Sequence, residues 1–433
     1  MQVNRTVAKS VERTHEGAPA KRITPEHQLR RSVLSCLLWE GEFYEDGASI
    51  AKRIADLVPI VDKGVVAALA VEARTDFKLR HVPLLLCREL ARHGSLRAET
   101  LCTIIQRADE LSEFLAMYWM DGRCPLSAQV KKGLGDAFKK FNAYSLAKYN
   151  RDGAVRLRDV LFMTHAKPKD AEQAETWKKL VEGRLETPDT WEVALSGGAD
   201  KKEAFARLLA EKKLGALALL RNLRNMLESG VDDSVIRAGL AEMDASRVLP
   251  YRFISAARYA PRFEPEIEGK MLEAMQGFEK IPGKTMLLVD VSGSMDCPTS
   301  DRSEITRMDA ACALAIIMRE LCEDVQVLTF SHSLVEVAPR RGFALRDAIV
   351  TSQHHNGTYL GQAITTATAK MQYDRIVVFT DEQSHDTVPG PKAKGYMINV
   401  ASCKNGVGYG QWVHQDGFSE GTIRWIMEYE KSL

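Results

Sequence analysis

The sequence predicts a multidomain chain, an α-helical solenoid followed by a doubly wound α/β domain, and three observations carry that expectation. From Pro25, apolar side chains recur at helical spacing for about 250 residues, between short breaks and without strand alternation. After Ile281-Pro282-Gly283 the period switches, and short apolar runs alternate with helical patterns. The stretch Thr285 to Asp296, TMLLVDVSGSMD, ends one such run in a turn carrying an aspartate and two serines. That is where open α/β sheets place ligands, at the carboxyl ends of their strands.

Taken in order, residues 1–24 are polar and aperiodic and read as an arm. Residues 25–280 form the helical domain: Leu29, Val33, Leu34 and Leu37 share a face, as do Ile50, Ile54 and Leu57, then Leu101, Ile104 and Ile105. Breaks fall at Pro59, Gly94, Gly122, Gly133, Pro168, Pro188, Gly197, Gly230 and Pro250. No strict repeat recurs, so the array is inferred from helix density. Residues 281–433 form the α/β domain, with strands expected at about 286–291, 325–330, 375–380 and 395–401. Helices are expected at about 304–321 and 358–371, and Met308 and Cys312 on the first read as core side chains.

Composition bounds the function. With 45% hydrophobic and 27% charged residues the chain is globular, and a net charge of +1 gives no global field toward nucleic acid or membrane. Locally the balance differs. Residues 281–433 hold 14 basic and 18 acidic side chains, whereas residues 131–170 hold ten basic and four acidic, the place where a polyanion would land. Eight cysteines without a C-x-x-C pair read as reduced thiols of a cytoplasmic protein. The amino terminus lacks the apolar core of a signal peptide, and no apolar run approaches membrane-spanning length.

Asp290, Ser292 and Ser294 alternate at a two-residue period after the apolar run Met286 to Val289, so their oxygens can converge on one spot. A hard cation such as magnesium takes such oxygens, although Asp, Ser and Gly also make ordinary strand-ending turns. Two later loops, Asn356-Gly357-Thr358 and Thr380-Asp381-Glu382, offer further oxygens at the same sheet edge. Together the three loops resemble the metal-ion-dependent adhesion site of a von Willebrand factor A domain. The resemblance implies a metal set of Asp290, Ser292, Ser294, Thr358 and Asp381, with Mg2+ as the ion. His332, His354, His355 and His385 lie near these loops, but zinc prefers fixed Cys and His sets.

The basic stretch reads two ways. Phe138, Phe141 and Tyr144 would anchor one or two helices, leaving Lys139, Lys140, Lys148, Arg151, Arg156 and Arg158 mostly in water. They form either a solvated face or a phosphate-binding rim, with amides of Asn150-Arg151-Asp152-Gly153 assisting. RHVPLLLCREL at 80–90, AYSLAKYN at 143–150 and RLRDVLFMTHAKP at 156–168, in a helical array ahead of an A domain, resemble the Ro autoantigen family and its TROVE domain. That resemblance implies a monomeric HEAT-like ring with small noncoding Y-like RNA on its outside. It also implies single-stranded 3′ ends of misfolded RNA in the hole, a role in RNA quality control, and a protein ligand or exoribonuclease as a further partner. Lys148 and Arg151 match basic positions implicated in Y RNA contact, while Leu157 stands where the family often carries a histidine.

A second reading is a metal-dependent protein-interaction scaffold without RNA, since solenoids make concave binding surfaces. An enzyme fits less well. The chain has no nucleophile elbow, H-E-x-x-H, P-loop or paired-carboxylate nuclease cluster. The run HVPLLLCREL, with its lone histidine, reads as the start of a core helix.

Overall fold

The structure, a computed structural model, describes residues 12–20, 23–34, 46–246, 248, 250–276, 279–301, 303–417, 422–423, 426–427 and 430. The chain divides into two units. One is Ala51–Ala274; the other joins the described residues up to Ile50 with the chain from Met275 onward.

Helix α1 (Pro25–Leu34) belongs to the second of these, and Leu37 lies outside the described residues. The helical unit follows with α2 (Gly47–Leu57), α3 (Lys63–Thr75), α4 (His81–Arg92), α5 (Ala98–Ile104), α6 (Asp109–Tyr118), α7 (Ala128–Phe138), α8 (Ala143–Tyr149) and α9 (Leu157–Thr164). It continues through α10 (Ala171–Val181), α11 (Trp191–Ser196), α12 (Lys201–Ala210), α13 (Ala216–Glu228), α14 (Asp233–Glu242), α15 (Pro250–Tyr259) and α16 (Glu264–Ala274). Local chemistry sets many of the starts. Side chains of Asp62, Ser127, Asn142, Asp170, Thr190 and Asp200 each accept a first-turn backbone N–H of the helix that follows. Packing runs between near neighbours, α3 on α4 and α5, α5 on α7, α7 on α9, α12 on α14 and α14 on α16, as in a solenoid.

Two expectations for this unit need correction. Gly133 is no break but sits inside α7, where an added Cβ would lie 2.8 Å from the Ala98 carbonyl oxygen, so glycine permits the close approach of α5 and α7. Tyr144 anchors nothing. It is 52% exposed, whereas Phe138 and Phe141 are buried, Phe138 edge-on to Trp177 with centroids 5.2 Å apart.

In the other unit a six-stranded sheet runs in the order β3-β2-β1-β4-β5-β6. The strands are β1 (Ile281–Asp290), β2 (Cys322–Phe330), β3 (Leu334–Glu336), β4 (Arg375–Thr380), β5 (Lys394–Asn399) and β6 (Val413–Asp416). All neighbours are parallel except β2 and β3. Helices α17 (Arg307–Leu321), α18 (Gly342–Val350) and α19 (Leu360–Lys370) complete it, with Met308 and Cys312 buried on α17. The short strands β3 and β6 and helix α18 were not expected. Three or four residues are too few to show a period. Of the expected amino-terminal arm, residues 1–11 lie outside the described residues, and residues 12–20 are no free arm. Ala18 is buried in the same core as Leu360 and Val388, and Thr14 Oγ1 donates to the Ser384 carbonyl at 2.8 Å. Among the described residues no helix is long and apolar enough to cross a membrane.

Candidate functional site

The sheet order reverses between β1 and β4, and that switch point is where a doubly wound sheet opens a crevice at its carboxyl edge. Val289 pairs with Phe379, so Asp290 ends β1 level with Thr380, and Asp381 follows one residue further along the neighbouring strand. Both aspartates are fully buried. The turn after β1 folds Ser294 back, and its hydroxyl donates to Asp381 Oδ2 at 2.6 Å and lies 3.3 Å from Ser292 Oγ. Asp290 accepts the Ser292 amide at 2.9 Å and the Thr380 hydroxyl at 2.6 Å. The loop carrying Thr358 closes from the third side, its Asn356 carbonyl accepting the Gly293 amide at 2.9 Å. Asp290, Ser292, Ser294 and Asp381 are thus joined by hydrogen bonds, and the buried Thr358 is delivered to the same edge.

Burial, and then the charge of Asp381, push the Asp290 carboxyl up to about 7 against the hydrogen bonds of Ser292 and Thr380. Two buried carboxylates and three hydroxyls are hard oxygen donors, and this donor set fits magnesium. Three of the four nearby histidines are committed elsewhere. His332 and His385 each stack on Tyr359, and His355 bonds Asp296. No group of three His, Cys, Asp or Glu suited to a metal occurs among the described residues.

Sequence reasoning missed the residues behind this edge. Arg307, at the start of α17, places Nη1 3.4 Å from Asp381 Oδ2, both side chains fully buried. Glu382 follows Asp381 in the left-handed region at φ 61°, which costs a non-glycine residue about 1 kcal/mol. Its surroundings hold it there. Arg31 of α1 bonds Glu382 Oε2 at 2.9 Å, the Gly408 amide donates at 3.2 Å, and His414 of β6 pairs with Oε1. Burial alone would raise the Glu382 carboxyl, but His414 and Arg31 outweigh it and bring it down to about 2. Nothing in the sequence pairs residue 31 with residue 382, and in the largely polar α1 Arg31 stands beside Arg30 with nothing to mark it as buried.

The basic stretch is scattered rather than continuous. Lys139 bonds Asp136 at 3.0 Å, and Lys140 donates to the Cys102 carbonyl. Arg156 pairs with Asp152 at 3.1 Å, and Arg158 lies 4.0 Å from Asp159. Leu157 is buried at the start of α9. Only Lys148 and Arg151 come together, on a cavity of about 710 Å3 between the end of α8 and the segment 183–195. Lys148 Nζ lies 3.8 Å from Glu192, whereas Arg151 is exposed and has no carboxylate within salt-bridge distance among the described residues.

Fold and edge define a class, a helical array joined to a von Willebrand-type A domain. Residues 284–392 match the family described as Ro60 vWA domain, and residues 168–280 match the TROVE domain. The two matches together place the chain in the Ro, TROVE-domain family. The crystal structure of the Ro (RSR) protein of Deinococcus radiodurans is similar over 92% of this chain and 97% of its own, with a TM-score of 0.58 at 19% identity, a likeness of fold. Telomerase protein component 1 of Rattus norvegicus is 31% identical over 190 residues, 40% of this chain but 7% of that protein. Its Mus musculus counterpart is 31% identical over 93 residues, 20% of this chain and 4% of that protein.

Proposed function

We propose that this chain is the protein of a Ro-type ribonucleoprotein, binding a small noncoding Y-like RNA through its helical unit and single-stranded ends of misfolded RNA in quality control. One observation carries the reading: in a chain of this family, Lys148 and Arg151 share a cavity, and Arg151 has no carboxylate partner among the described residues. Cations on rigid helices position a phosphate backbone without reading sequence. The A domain acts separately, binding rather than reacting. Asp290, Ser292, Ser294, Thr358 and Asp381 hold magnesium, which supplies a Lewis-acidic position for an acidic side chain of a protein partner.

Sequencing the nucleic acid that copurifies with the native protein tests this, with Lys148→Glu/Arg151→Glu as control. A discrete small RNA, lost in the variant, is the expected result. No RNA above background in either protein would refute the reading and leave the scaffold alternative.

A further inference from the structure

The cavity beside Lys148 and Arg151 contains more than a phosphate rim needs. Its lining includes Trp191, the buried Pro188 and the apolar Val193, so an aromatic residue and apolar side chains share the cavity with two cations. Its volume of about 710 Å3 lies in the range of about 300–1,000 Å3 taken by small-molecule sites. Phosphate contacts alone require no such depth.

Glu192 supplies the specific group. Its Oε1 lies 3.8 Å from Lys148 Nζ, beyond hydrogen-bond length, and its Oε2 is buried with no hydrogen-bond partner among the described residues. Leaving that oxygen enclosed and unpaired is costly, and a turn of the carboxylate about its broad terminal torsion, for which the 32% exposure of the side chain leaves room, relieves the cost by bringing both oxygens to a ligand's donors. Among the four RNA bases only guanine presents two adjacent donors, N1–H and N2–H, matched to both oxygens of one carboxylate. Adenine, cytosine and uracil place an acceptor next to their donor and would repel one oxygen. Splayed-out RNA bases are held in this way, stacked on an aromatic ring with their pairing edge hydrogen-bonded.

We propose that this cavity binds one unpaired guanine nucleotide of the RNA, the base stacked on Trp191, its pairing edge on Glu192 and its flanking phosphates on Lys148 and Arg151. The inference rests on the RNA-binding reading and adds base selectivity to it. Lys148 then has two roles, partly neutralising Glu192 in the free protein and meeting phosphate in the complex.

The test uses the full chain and three labelled oligonucleotides, a uridine decamer, the same decamer with one central guanosine, and the same with one central adenosine. Fluorescence anisotropy at low salt should show the guanosine decamer binding about 10-fold tighter than the other two, the scale of one bidentate base contact. Glu192→Gln should bring the three within about 2-fold while uridine decamer binding persists, and guanosine monophosphate should compete better than adenosine monophosphate. Trp191→Ala should weaken the guanosine decamer by about 5- to 100-fold, with Trp191→Phe restoring much of the loss. Circular dichroism checks folding, and Glu192→Gln alone suffices if Trp191→Ala does not fold. Equal affinities for the three decamers, or a guanosine preference that survives Glu192→Gln, overturns the pocket while leaving general RNA binding in place. Binding of none of the decamers, with no copurifying RNA, overturns the RNA-binding reading and this inference with it.

Discussion

Replacing Arg151 by alanine should change the salt dependence of RNA binding by an amount that follows from its surroundings. Each phosphate neutralised by a cation contributes about 0.9 to the slope of log affinity against log salt on duplex nucleic acid. Arg151 is exposed and has no carboxylate within salt-bridge distance among the described residues, so one full contact is at stake. Over a fourfold rise in salt, from about 50 to about 200 mM, one contact corresponds to 4 to the power 0.9, or about 3.5-fold in affinity. Arg151→Ala should therefore lose about 3.5-fold less affinity than wild type across that range. Lys148→Ala should flatten the slope by less than half as much, because Glu192 at 3.8 Å already compensates part of the lysine charge and the side chain is only 25% exposed. Anisotropy titration of a labelled hairpin RNA at four salt concentrations measures both slopes. Slopes equal to wild type in both variants, or a larger change for Lys148 than for Arg151, would refute the assignment.

Magnesium should raise the melting temperature of the wild-type protein, and Asp290→Ala or Asp381→Ala should abolish that shift while leaving RNA affinity within about 2-fold, as scanning calorimetry and anisotropy would show. Phe138→Ala removes a fully buried ring packed edge-on against Trp177 and should cost about 3–5 kcal/mol in urea unfolding; a cost below about 1 kcal/mol would contradict the packing described. Thiol labelling should separate the cysteines. Cys124 is exposed and should react in the native protein, whereas Cys87 and Cys312 are fully buried, the Cys87 thiol pushed up by desolvation, and should react only in denaturant. Equal labelling of all three by mass spectrometry would rule this out.

How much of this was legible in the sequence depended on whether the cause was local. The switch from helical period to strand runs at Ile281 was legible, because burial on one face or two writes a period into the chain. Asp290 and Asp381 were legible too, since each ends or follows an apolar run that forms a buried parallel strand. The basic stretch was not. Ten basic against four acidic residues gives a charge excess, but Asp136, Asp152, Asp159 and Glu192 lie against particular cations and absorb much of it. Glu192 is far from Lys148 along the chain, and no window on the sequence joins them. Arg31 and Glu382 make the same point at greater separation, since a buried ion pair is a property of the fold and each partner alone reads as a surface residue.

Charge balance at the sheet edge bears on what kind of ion site the proposed one is. Asp290 and Asp381 bring two negative charges into a fully buried position, and the buried guanidinium of Arg307 offsets one of them. The remaining donors, Ser292, Ser294 and Thr358, are neutral hydroxyls. A divalent ion seated there would leave about one positive charge in excess, uncompensated by the chain's own ligands. A closed structural site normally carries enough charge to neutralise its ion, and tighter calcium sites do so with several carboxylates. With the proposed ion in place, this edge would instead leave charge for an oxygen from outside. Arg307 would then matter beyond packing: by offsetting the Asp381 charge it would make ion binding depend on an acidic partner, the behaviour of a recognition site rather than of a permanent structural metal.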